Sequence, residues 1–110
     1  MRRYRDIFGD RCYGLAELHL GPDDRRRLRS MHAVARAAGV PLVAANDVHY
    51  HIRERQPLHD VLSAVRHHCT VAALGTHRFP NAERCLKSSE EMLRLFADCP
   101  DAIAPDDRDR

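Results

Sequence analysis

Apolar residues enter the chain in short runs separated by breakers, and the period inside each run changes from one stretch to the next. Residues 12 to 20, CYGLAELHL, are an apolar run with one interior acid, Glu17, and predict a buried strand of about five to seven residues. GPDD then stops the strand and starts a helix: Gly21 and Pro22 break the run, and Asp23 or Asp24 is placed to cap the free N–H groups of the first turn. Leu28, Met31, Val34, Ala35 and Ala38 follow at helical spacing on one face, with Arg25, Arg26, Arg27, Arg29 and Arg36 mostly elsewhere, which predicts an amphipathic helix packed on a larger body. Gly39 closes that helix as its C-cap, and Pro41 opens a second strand, LVAA. Strand, helix, strand within about 35 residues predicts a βαβ unit with parallel strands joined right-handedly, hence an α/β fold.

The second half is less regular. After a polar loop, HIRERQ, Pro57 sits where a helix takes proline in its first turn, and Leu58, Val61, Leu62 and Val65 mark its expected buried face. HHCTVAALGTHRFPNAERCLK has little period of either kind. SSEEMLRLFADCP then predicts a further helix: Ser88 and Glu91 match a capping box, Met92, Leu95 and Phe96 form the apolar stripe, and Pro100 lies beyond the end. The last ten residues, DAIAPDDRDR, lose all periodicity and predict a frayed or disordered end. Neither an internal repeat nor a low-complexity tract is present.

Composition narrows the class. A chain of 110 residues is sized for one small domain with a thin core; 44% apolar and 31% charged residues fit a soluble globular protein. Only 5% of residues are aromatic and none is Trp, little for a self-sufficient core and the first sign of a piece of something larger. The net charge of +2 hides an asymmetry: residues 1 to 36 hold nine Arg against five acids, and the chain from Asp98 onward holds five Asp against two Arg. Seventeen of the eighteen basic residues are Arg, a bias typical of GC-rich codon usage that carries no functional weight by itself. Cys12, Cys69, Cys85 and Cys99 form no CxxC pair, so they read as free thiols in a reducing cytoplasm. MRRYRDIFGD lacks the apolar stretch of a signal peptide, and no run of eighteen apolar residues exists, so a cytoplasmic protein with no membrane partner is expected.

The candidate chemistry lies where the second strand ends, in PLVAANDVHYH. In extended backbone, residues two apart share a face, so Asp47 and His49 project together if the strand persists through Val48. A carboxylate beside an imidazole is half of a zinc, manganese or iron site, and a tightly held ion needs three or four ligands. The commoner role of such a pair is structural, with Asp47 capping the next turn and His49 on the surface. His19, His32, His51, His59, His67, His68 and His77 are further imidazoles among which spacing does not choose. Glu17 is a possible ligand or a hydrogen-bond acceptor behind one, although such acids more often face outward or meet an Arg. His67 and His68 read as a polar helix end.

Taken together, FGDRCYGLAELHLGPDD, GVPLVAANDVHYH, PLHDVLSAVRHHCTV and LKSSEEMLRLFADCPDAIA resemble the PHP (polymerase and histidinol phosphatase) domain of bacterial C-family DNA polymerases, the DNA polymerase III alpha subunits. The likeness covers roughly residues 4 to 104 and is strongest to the error-prone paralogue used in damage-induced mutagenesis. It implies the C-terminal portion of a distorted (βα)7 PHP barrel with trailing helices: residues 1–54 as barrel, 55–104 as the helical segment that follows, and 105–110 as a disordered tail. It implies that Asp47 and His49 match the family's last metal-ligand motif, for zinc or manganese in the intact parent. The early His-x-His and the intermediate His, Glu and Cys ligands are missing, and so is the palm domain whose acids hold magnesium for nucleotidyl transfer. The resemblance thus implies a polymerase fragment, inert by itself, whose parent partners DNA and other polymerase or mutasome subunits. Two alternatives remain: a stand-alone PHP-type phosphoesterase, and a noncatalytic nucleic-acid or protein-binding module built on the Arg-rich helix.

Overall fold

The computed structural model describes residues 1–103, so the expected tail at 105–110 lies outside the described residues. Four helices, α1 (Arg2–Phe8), α2 (Asp24–Ala38), α3 (Gln56–Arg66) and α4 (Ser89–Leu95), and two strands, β1 (Gly14–Glu17) and β2 (Leu42–Ala45), are joined by short 3-10 turns. Contacts group them into two units: Met1–Ala45 with the described residues from Lys87 onward, and Asn46–Leu86. None of these helices is long and apolar enough to cross a membrane.

In the first unit β1 and β2 pair in parallel with Gly14 opposite Leu42 and Glu17 opposite Ala45, joined through α2, the strand–helix–strand order expected of an α/β fold. β1 is four residues long, shorter than its apolar run, and alternates strictly, with Gly14 and Ala16 inward and Leu15 and Glu17 outward. The core is Ala16, Leu18, Leu28, Phe96, Cys99 and Ala102, with Leu42, Ala44, Met92, Leu95 and Ile103 packed against it. Within α2, Leu28, Ala35 and Ala38 are buried, whereas Val34 at the edge of the expected stripe is half in solvent. Asp23 precedes α2 without capping a backbone N–H of its first turn, its carboxylate pairing with Arg26 at 3.2 Å; Asp24 Oδ2 accepts the His19 backbone N–H at 2.8 Å, which ties the β1–α2 connection to the helix start. α4 carries the expected capping box, Ser88 Oγ accepting from the Glu91 N–H while Glu91 Oε2 accepts from the Ser88 N–H.

No pattern in the sequence marks α1, which has no buried residue. Its role is electrostatic: Arg2 and Arg5 donate to the carbonyls of Ala37 and Ala38, placing two cations on the unsatisfied, negative end of α2. Gly39 ends α2 in the left-handed region (φ 64°, ψ 34°), and a Cβ there would lie 2.7 Å from Arg5 Nη1. Glycine is therefore required twice, by the backbone and by the guanidinium packed on it.

In the second unit, α3 starts with Pro57 in its first turn as expected, but the apolar stripe does not face inward. Leu58, Val61, Leu62 and Val65 are 48–68% exposed, and the buried positions of the helix are Asp60 and Ala64. The inward face is set by Asp60, whose Oδ2 accepts from Arg78 Nε at 2.8 Å, and by Ala64 one turn on, small enough for close approach. The irregular stretch after α3 folds into two 3-10 turns, Val71–Ala73 and Gly75–His77, then a loop running back to pair with residue 50.

Candidate functional site

β2 ends at Ala45, and the chain turns at once: Asp47 sits at φ 41°, in the left-handed region where Asp and Asn are tolerated. The extended backbone through Val48 assumed for the alternation is thus not formed. The two side chains meet nonetheless, Asp47 Oδ1 lying 3.4 Å from His49 Nε2. The backbone on either side is clasped by the loop 84–86. His49 and Tyr50 both donate their N–H to the Arg84 carbonyl, Leu86 donates to the Tyr50 carbonyl, and the Asn46 amide donates to the Cys85 carbonyl.

Around this turn the second unit assembles an aromatic and cationic cluster. The His59 ring stacks on Phe79 at 4.9 Å, and His49 meets both edge-on at 5.0 and 4.9 Å. The Arg84 guanidinium lies 4.3 Å over the Phe79 ring and donates to Asp47 Oδ2. Phe79 is held in turn by Gln56, whose amide donates to the carbonyls of Phe79 and Asn81, and the loop is pinned by Arg53 bridging Glu83. Burial, and then the neighbouring His49, push the His59 pKa below its ordinary value, with Asp60 pulling the other way. Its Nδ1 is buried with no hydrogen-bond partner among the described residues, which leaves a second ring proton without an acceptor there. Tyr50 is likewise buried, and burial raises its phenol pKa.

The remaining candidates fall elsewhere in the fold. Glu17 faces outward at the end of β1, 3.6 Å from His19 Nε2. His32 lies on α2, His51 and His68 are exposed, and His67 ends α3 with its ring stacked on His77 at 3.9 Å. Among the described residues no group of three or more His, Cys, Asp or Glu side chains is placed to hold a metal ion. Asp47 and His49 offer one carboxylate oxygen and one imidazole nitrogen side by side, and the other carboxylate oxygen is taken by Arg84. That donor set fits part of a zinc or manganese shell and does not close one. Phe79, Arg84 and the role of His59 were not visible in the sequence, because the loop that supplies two of them has no period.

No family model matches the chain. It is similar over most of its length to bacterial error-prone DNA polymerases. It is 43% identical over 104 residues to error-prone DNA polymerase 1 of Agrobacterium fabrum, covering 94% of this chain and 10% of that protein. Against the error-prone DNA polymerase of Brucella abortus it is 56% identical over 86 residues, 78% of this chain and 8% of that protein. Against that of Anaeromyxobacter dehalogenans it is 43% identical over 102 residues, 93% of this chain and 9% of that protein. The chain spans about a tenth of the length of the curated relatives it matches.

Proposed function

We propose that these residues are a segment of an error-prone DNA polymerase, the C-terminal part of its PHP barrel and the helices that follow, in a protein that copies damaged templates. The observation that carries this is identity of 43–56% over 78–94% of the chain to proteins so named. The parallel β1–α2–β2 unit, with a polar motif just past the carboxyl end of β2, supports the barrel assignment, since ligand chemistry in parallel α/β folds gathers at strand ends. Asp47 and His49 are proposed as two ligands of a zinc or manganese site whose other donors come from the parent polypeptide. Nucleotidyl transfer and its magnesium ions belong to a palm domain outside these residues, so the chain by itself extends no primer.

The test is a graft. The 86 matching residues of the Brucella abortus polymerase are replaced by those of this chain, and templated primer extension is measured on damaged and undamaged DNA. Retention of the rate within about tenfold, roughly 1.4 kcal/mol in barrier, is expected. A chimera that melts like the parent but extends no primer overturns the proposal.

A further inference from the structure

One face of α2 carries a line of cationic side chains that the site above does not use. Arg25, Arg29, His32 and Arg36 follow one another at steps of four, three and four residues, which at about 100° and 1.5 Å per residue places them within about 40° of one line over roughly 16 Å. The consecutive Arg25, Arg26 and Arg27, by contrast, fan out around the helix and share no face. Arg25, Arg29 and His32 line an open cavity of about 410 Å3 together with Leu28, Asp98 and Cys99. Of the three arginines in the line, Arg25 meets Asp98 at 3.5 Å, whereas exposed Arg29 and Arg36 have no acidic partner among the described residues.

We propose that Arg25, Arg29, His32 and Arg36 form a stripe that tracks the phosphate backbone of a single DNA strand without reading its bases. About 16 Å of helix is long enough to face several successive phosphates of a strand, and guanidinium forks suit phosphate oxygens. A line one side chain wide matches one strand and makes no second row for the opposite strand of a duplex. The choice of DNA among polyphosphates rests on the polymerase reading; the placement of the stripe does not.

Fluorescence anisotropy of a labelled twelve-nucleotide oligo-dT with the 110-residue chain tests it. With three arginines engaged and a slope of about −0.7 per contact, affinity should fall roughly 20-fold between 50 and 200 mM salt. The double variant Arg29→Gln, Arg36→Gln keeps one arginine contact, and its affinity should fall only about threefold over the same range. Arg29→Lys with Arg36→Lys should keep most of the salt dependence, and Arg94→Gln, a cation on α4 paired with Glu90, should leave it unchanged. An Arg94→Gln effect equal to that of the stripe variant would show general charge attraction and overturn the proposal. So would no binding at 50 mM salt, or tighter binding of a duplex of the same length. Binding that behaves as expected beside a failed graft would sink the polymerase assignment only, and an active graft beside absent binding would sink the stripe only.

Discussion

Leu62 and Leu74 are the same residue type in the same unit, yet Leu74 is 1% exposed and Leu62 60%. Truncating a buried leucine to alanine costs about 2–5 kcal/mol, the lost transfer energy plus the cavity left behind. For Leu62 only about two-fifths of the roughly 1.5–3 kcal/mol of full burial is at stake. No cavity forms at a surface, and alanine is slightly the better helix former, so Leu62→Ala should cost about 0.5–1 kcal/mol. The difference, at least about 2 kcal/mol in the middle of these ranges, is some 30-fold in the local opening constant. Native-state hydrogen exchange of the α3 amides reads it directly, because exchange reports each unit separately even where the two do not unfold together. If the two variants destabilise α3 equally, within about 0.5 kcal/mol, then its apolar face is buried as the periodicity predicts, and the inward placement of Asp60 and Ala64 is wrong.

Asp47 holds a positive φ, so Asp47→Asn should keep the turn and the melting temperature while weakening zinc binding, whereas Asp47→Ala adds backbone strain of about 1 kcal/mol. Equal zinc affinity in wild type, Asp47→Asn and His49→Ala, measured by titration, would remove both residues from any ligand set. The lowered pKa of His59 means that the unfolded chain takes up the proton first. The stability this confers on the second unit is therefore fully present above pH 6.5 and lost as pH falls through the lower folded value. His59→Gln should flatten the dependence of α3 amide exchange on pH over that window, and an unaltered slope would refute it.

What was legible in the sequence was local. Gly21–Pro22, Gly39 and the Ser88–Glu91 box each act within a few residues, and the elements they delimit are found where the pattern puts them. α1 was not legible because its stabilising contacts are with carbonyls 33 and 35 residues away. The face of α3 was misjudged for a related reason. Periodicity reports that a stripe suits burial and does not say what buries it. The α3 stripe stays in solvent, while an ion pair such as Asp60–Arg78 fixes the inward side.

The Asp-x-His pair shows the same division in miniature. Spacing by two placed Asp47 and His49 together for a reason that does not hold, since β2 stops at Ala45; they converge because the turn at Asp47 is closed by hydrogen bonds from residues 46, 49 and 50 to the loop 84–86. The loop that positions the pair also supplies its competitor, for Arg84 occupies the carboxylate oxygen that His49 does not face. With the Asp47 side chain 46% exposed, such an ion pair is worth at most about 1 kcal/mol, roughly a fivefold factor in any competing equilibrium. A divalent cation held by further donors readily outbids it, whereas two donors do not. Arg84 therefore keeps Asp47 paired in this chain, and a pair this weak is by itself no bar to ligation.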